Sequence, residues 1–194
     1  MSREFFNQKA EEWDEITEHS RKIIADITNH LPHLTNPNIL DVGCGTGVMI
    51  EFLINKYGPE AKITAIDYAE NMISKARKKF LSYPNISYVT DDVLTYNFAE
   101  ASYDLIVCYS VFPHLQEKQS ILQKFHKILS KKGYLVIFHS ESRQKINELH
   151  RNIGGTVGND HLPPAKHVAQ MANDIGFKVE TLIDNEIYFL LLKK

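Results

Sequence analysis

Apolar and polar positions along this chain follow two periods in turn, and each change of period marks the edge of an element. Phe5, Phe6, Ala10, Trp13 and Ile16 recur at roughly helical spacing, and Ile23, Ile24, Ile27 and Leu31 continue the pattern, which predicts helix over 5–31. Pro32 and Pro37, with Asn36 and Asn38, close that stretch with a loop. Short apolar runs at 39–42, 62–66, 86–89, 103–109 and 134–139 then read as strands, the one at 103–109 as a strand buried on both faces of a parallel sheet. Helical patterns separate or follow them at 47–57, 69–81, 116–130 and 143–152, and Pro163-Pro164 opens another helix. Gly133, after Lys131-Lys132, is the expected stop of the helix 116–130. Residues 153–158 read as a flexible loop, and 178–183 and 187–192 flank Asp184-Asn185-Glu186 as a hairpin. Strands alternating with helices predict an α/β fold, and 194 residues suit one such domain.

Candidate chemistry sits where the first strand meets the first glycine loop. The run Ile39-Leu40-Asp41-Val42-Gly43-Cys44-Gly45-Thr46-Gly47 leads into a helix, and the next strand ends in Asp67. In a βαβ unit this brings a glycine turn and a carboxylate to the same carboxyl edge of two parallel strands. Asp67 lies 20 positions after Gly47, a spacing at which an acid can accept both hydroxyls of a ribose, so a nucleoside-containing cofactor is expected. A dinucleotide fingerprint needs its third glycine at position 48, which is Val48, and no phosphate-loop lysine follows.

With its Asp-Val-Gly-Cys-Gly-Thr-Gly motif and following acid, the chain resembles the class I S-adenosylmethionine (SAM) methyltransferases from about residue 35 onward. The resemblance implies a Rossmann-like, seven-stranded, mostly parallel sheet with helices on both faces and an antiparallel last strand. It implies that Asp41, Gly43, Cys44, Gly45 and Gly47 pack along the amino-acid tail of SAM while Asp67 holds the ribose. Tyr68 and Met72 would wall the adenine, Asp92 would take its amino group beside the Val93 amide, and Tyr109 would lie by the methionine half. Plain readings stand beside these: Asp91 and Asp92 as turn residues, Tyr68 and Met72 as helix-packing core. The segment Phe5 to Asp14 is similar to the lead-in of the quinone-biosynthesis C-methylating group, where it forms a lid, so residues 1–31 are expected to be a lid or cap closed by Phe6 and Trp13.

Composition narrows the partners. A formal net charge of −2 provides no basic field for nucleic acid, and Lys75, Lys78, Lys79, Lys131 and Lys132 read as solvated helix faces and ends. Cys44 and Cys108 form neither a disulfide framework nor a cysteine metal site by spacing. Met1-Ser2-Arg3-Glu4 opens no apolar signal core, and no apolar run is long enough to cross a bilayer, so a cytoplasmic protein without membrane partners is expected. A small-molecule acceptor is expected for the same reasons.

Nine histidines make the acceptor side distinctive. His114, after the fourth strand, matches a position where many family members carry histidine, and an imidazole suits proton transfer near neutral pH; a wall residue without proton transfer is the plainer reading. His139 ends the fifth strand on the ligand edge and is a second catalytic candidate. Asn147, His150 and His161 fall in a substrate-side insertion over 140–165 and read as polar lining of the acceptor pocket. His139, His150 and His161 would alternatively bind a divalent metal if they converged. The expected function is methyl transfer from SAM, leaving S-adenosylhomocysteine (SAH), to a small molecule in a pocket at the carboxyl ends of strands four and five. The alternatives are a SAM- or metal-binding protein without turnover and, disfavoured by Val48, a nicotinamide oxidoreductase.

Overall fold

The computed structural model describes residues 2–17 and 20–194. Three helices, α1 (Ser2–Lys9), α2 (Trp13–Ile16) and α3 (Arg21–Asn29), precede the sheet. The alternation then begins with β1 (Asn38–Val42), α4 (Val48–Tyr57), β2 (Lys62–Asp67), α5 (Glu70–Lys79), β3 (Ile86–Thr90) and β4 (Tyr103–Tyr109). It continues with α6 (Lys118–Ile128), β5 (Leu129–His139), α7 (Arg143–Ile153) and α8 (Ala165–Ile175), and the strands β6 (Lys178–Asp184) and β7 (Tyr188–Lys193) follow. Short 3₁₀ turns lie at Phe112–His114 and Val157–Asn159.

One seven-stranded sheet has the order β3-β2-β1-β4-β5-β7-β6. Every ladder is parallel except the two made by β7, which runs antiparallel to β5 and to β6. The order reverses at β1, which leaves a crevice beyond the carboxyl ends of β1 and β4, where open α/β sheets bind ligands. The central strands are apolar toward both faces, and two cores form accordingly. Leu40, Ile106, Phe112 and Phe125 anchor one; Ile39, Leu53, Val107 and Phe138 anchor the other. Burial on both faces is what a parallel sheet covered by helices requires.

Two boundaries differ from the sequence reading. The predicted helix over 5–31 is three helices, interrupted by a turn at 10–12 and again after Ile16, and its positions 18 and 19 lie outside the described residues. Gly133 does not stop a helix. The helix ends at Ile128, residues 129–132 already belong to β5, and the register against β4 shifts there. A Cβ on Gly133 would stand 2.9 Å from Leu129 Cδ2 and 3.1 Å from the carbonyl oxygens of Ser130 and Tyr103. Close backbone approach at an irregular ladder, rather than a helix cap, is what glycine provides at that position.

Candidate active site

A cavity of about 280 Å³ opens at the carboxyl ends of β1, β2 and β4, under α1 and α2. Its floor is the loop between β1 and α4. Gly43, Gly45 and Gly47 all have positive φ, at 62°, 54° and 92°, a region that side chains with a Cβ enter at a cost. Gly43 has a second reason to be glycine: an added Cβ would lie 2.1 Å from Val111 Cγ2, so the loop could not rest on the segment after β4.

Asp67 ties the loop to the second strand. Gly45 N–H donates to its Oδ2 at 3.0 Å and Ala69 N–H to its Oδ1 at 2.8 Å. Burial pushes the Asp67 carboxyl up from the usual carboxylate range, and those backbone donors, with His114, pull it back. Asp41, at the end of β1, is 1% exposed, and its Oδ2 has no hydrogen-bond partner. Burial, reinforced by the neighbouring charge of Asp67, pushes it up to about 8. Burial likewise pushes the Cys44 thiol up, which makes it a weakly ionised wall group rather than a nucleophile.

Of the residues singled out in the sequence, Gly43, Cys44, Gly45, Asp67, Tyr68, Met72, Asp92, Val93, Tyr109, Phe6, Trp13 and His114 all line this cavity. Asp41 and Gly47 stand behind it as parts of the loop's support. Asp92 also makes the turn its plain reading anticipated, with Oδ1 accepting from Leu94 N–H at 2.8 Å, while remaining in the lining. Met72 does both jobs too: it packs with Ala10 and Ala69 in a small separate core joined by Phe6, Trp13 and Tyr68. Tyr109 is bonded to Ser140 Oγ at 3.1 Å and tilts against Phe138, with ring centroids 4.7 Å apart.

The amino-terminal helices are fastened across the cavity by polar contacts that the aromatic pattern did not disclose. Asn7 Oδ1 accepts from Asn71 N–H at 2.9 Å, and its carbonyl accepts from Asn71 Nδ2 at 3.0 Å. Asp14 accepts from Thr46 Oγ1 in the glycine loop and pairs with Lys79 at 2.5 Å. Lys75 reaches the carbonyl of Glu11. Lys75 and Lys79, read from the sequence as solvated, therefore hold the segment over the site.

The histidines divide. His114 Nδ1 lies 2.7 Å from Asp160 Oδ2, and the His114 ring meets Phe6 edge-on at 5.2 Å. His139 is placed differently from the ligand-edge reading: it is 1% exposed, neither ring nitrogen has a partner, and it meets Tyr188 edge-on across the β5–β7 ladder. Burial, with lesser contributions from His114 and His150, pushes it down to about 3. Asn147 and His150 are buried and bonded to backbone instead of facing the cavity. Asn147 donates to the Leu162 carbonyl at 3.1 Å and accepts from its N–H at 2.8 Å, and His150 Nδ1 donates to the Asp160 carbonyl at 2.8 Å. His161 is exposed. Among the described residues, no group of three or more His, Cys, Asp or Glu side chains is placed to hold a metal ion, so His139, His150 and His161 are not brought together in one such group.

Asp160 is the site residue that the sequence reading did not single out. It lies 46 positions from His114, and no local spacing links the two; the one available signal was an acid among histidines in the segment after β5. No helix among the described residues is long and apolar enough to cross a membrane.

Residues 39–133 match the family model described as a methyltransferase domain. A malonyl-acyl-carrier protein O-methyltransferase of Bacillus anthracis is 30% identical over 149 residues, 75% of this chain and 54% of that protein. The chain spans about half the length of the curated relatives it matches. Among solved structures, a SAM-dependent methyltransferase of Aquifex aeolicus superposes with a TM-score of 0.76 at 20% identity, covering 96% of this chain and 97% of that one. A complex of a Haloferax volcanii methyltransferase activator with its methyltransferase gives a TM-score of 0.80 at 15% identity, with 97% and 96% covered. At these identities the two superpositions speak to fold.

Proposed function

We propose, for a chain that carries a class I SAM-dependent methyltransferase domain, that the glycine-floored cavity holds SAM and that a methyl group passes to a small-molecule acceptor entering from the side of β4 and β5. The observation that carries this reading is the charge of the lining: Asp67, Asp91 and Asp92 contribute to it, and no lysine or arginine does. A pyrophosphate would find no cation there, whereas a cofactor with a sulfonium and an ammonium group finds the carboxylates of Asp67, Asp91 and Asp92. Asp67 is taken as the ribose acceptor, since the backbone donors of Gly45, Tyr68 and Ala69 fill fewer than the four acceptor positions of a carboxylate. Tyr68, Met72, Asp92 and Val93 are assigned to the adenine end, and Tyr109 to the methionine end.

The cofactor, when bound, supplies an already activated methyl group. What remains for the chain is alignment and exclusion of water, and Phe6 and Trp13 on the fastened amino-terminal segment serve the second task. The curated relatives reported above are malonyl-acyl-carrier protein O-methyltransferases rather than members of the quinone C-methylating group, so the lid rests on the fastening of this segment by Asn7, Asp14 and Lys75. The malonyl-carrier substrate of the Bacillus anthracis relative is not carried over to a chain spanning half its length.

Calorimetry with SAH tests the assignment. Asp67→Ala should weaken binding by about 1.5–3 kcal/mol, the range for hydrogen bonds to a charged group, or roughly ten- to a hundred-fold. Equal affinity of the variant, or tighter binding of a nicotinamide dinucleotide than of SAH, would overturn the assignment.

A further inference from the structure

The acceptor side of the cavity holds a part-buried histidine–aspartate pair that cofactor binding does not need. His114 lines the cavity, and its Nδ1 lies 2.7 Å from Asp160 Oδ2. A carboxylate oxygen only accepts, so Nδ1 carries the hydrogen and donates it, which leaves the Nε2 lone pair open. Asp160 is itself fixed from two directions. Gln116 Nε2 donates to its Oδ1 at 3.0 Å, and its main-chain carbonyl accepts from His150 Nδ1 at 2.8 Å. Packing holds the imidazole as well, between the edge contact to Phe6 and the His150 ring, whose centroid lies 4.9 Å away. The ring thus has one tautomer and one orientation before any acceptor arrives.

The rest of that wall is Tyr109, Ser110, Val111, Leu115 and Gln116, with no cationic side chain among the lining residues. An acceptor that reacts through a carboxylate, as O-methylation of a malonyl group requires, would bring a negative charge among carboxylates and leave it unpaired. We infer, resting on the methyltransferase reading above, that the reacting group is a neutral, proton-bearing nucleophile (a hydroxyl, thiol or uncharged amine). His114 Nε2 takes its proton, and Asp160 is the positioning residue. In that step the bond from the nucleophile to hydrogen breaks and the proton goes to Nε2. The nucleophile's electron pair forms the bond to the methyl carbon, and the carbon–sulfur bond breaks with its pair left on sulfur. The positive charge lost at sulfur reappears on the imidazolium, which Asp160 stabilises until solvent takes the proton.

The first test is a spectroscopic one on the full chain loaded with SAH: nitrogen-15 NMR of the imidazoles, with His114 assigned by its absence in His114→Gln. The expected spectrum shows a protonated Nδ1 and an unprotonated Nε2. Asp160→Asn, whose amide can donate to Nδ1, should move the hydrogen to Nε2. A ring protonated on Nε2 alone in the unaltered protein overturns the inference, even if the Asp160 variant does not fold. The second test follows SAH formation with catechol, phenylmethanethiol and benzoate as probes. Catechol or the thiol should be methylated in preference to benzoate, and His114→Gln should depress that turnover about 10²- to 10⁴-fold while SAH affinity stays within a few-fold. Preference for benzoate, no turnover of either neutral probe, or turnover unmoved by the substitution overturns the inference and leaves the cofactor assignment standing. Failure of SAH to bind removes the cofactor assignment and, with it, this inference.

Discussion

On the side of the cavity assigned above to the cofactor, the lining is built by backbone close in sequence: three glycines at positive φ and one aspartate that gathers the N–H groups of Gly45 and Ala69. On the side proposed for the acceptor it is built by side chains from distant elements, with His114 after β4 bonded to Asp160 beyond α7 and Asn147 bonded to the backbone of Leu162. The first construction admits few alternatives, because a strand, a tight turn and a helix N-terminus leave the chain little choice of residue. Side chains on the segment between β5 and α8 can be exchanged without rebuilding the sheet. One scaffold can therefore keep a cofactor and vary its acceptor, with function placed on segments that a rigid frame positions.

Substitutions can break or sharpen that contrast. The largest effect is expected at Gly43→Ala, where a Cβ would combine positive-φ strain with a 2.1 Å clash against Val111; roughly 2–6 kcal/mol should be lost in urea unfolding, together with SAH binding. A mild effect there would mean the loop is not the fixed half of the site. Next comes Asn147→Ala. It leaves the buried N–H and carbonyl of Leu162 without partners and should cost about 2–4 kcal/mol, with SAH affinity within a few-fold of the unaltered protein. If SAH affinity collapsed as well, the two sides would not be separable.

The smallest effect should be one of pH. Burial holds the His139 imidazole neutral in the fold down to about 3, whereas an unfolded chain protonates it near 6.5. Between those values only the unfolded chain takes up the proton, so this contribution is intact above about 6.5 and is lost as pH falls toward 3. His139→Phe removes it. The variant should lose about 1 kcal/mol less than the unaltered protein between pH 7.5 and 5.5 in unfolding measurements. Equal acid sensitivity of the two proteins would mean His139 is not shielded from solvent.

What was legible in the sequence divides along the same line. The glycine spacing and Asp67 stood within one βαβ unit, where local pattern implies spatial proximity, and the strand–helix alternation yielded the sheet for the same reason. The aromatic stripe of Phe6 and Trp13 could be read as a cover, but its fastening could not, because the bond from Thr46 to Asp14 spans 32 positions. Gly133 was misplaced because a helix stop and a close backbone approach call for the same residue. His139 was misplaced for a different reason. Strand direction put His139 at the ligand edge, yet only the neighbouring β7 decides whether that edge is open, and Tyr188 closes it.

The position of β7 also governs when this sheet can be completed. It comes last among the strands in sequence yet lies inside the sheet, pairing Tyr134 with Lys193 on one side and Lys178 with Lys193 on the other. Until residues 188–193 arrive, β5 is an exposed edge and β6 has no neighbour to join. Those pairings with β5 are long-range ones, which folding makes slowly because the intervening chain must first be closed into a loop. During synthesis β1 to β4 can assemble while the end of the sheet formed by β5, β7 and β6 waits. A ribosome-bound chain stopped short of β7 should therefore display a sticky apolar edge, and chaperones that recognise unpaired strands have their longest opportunity at that point.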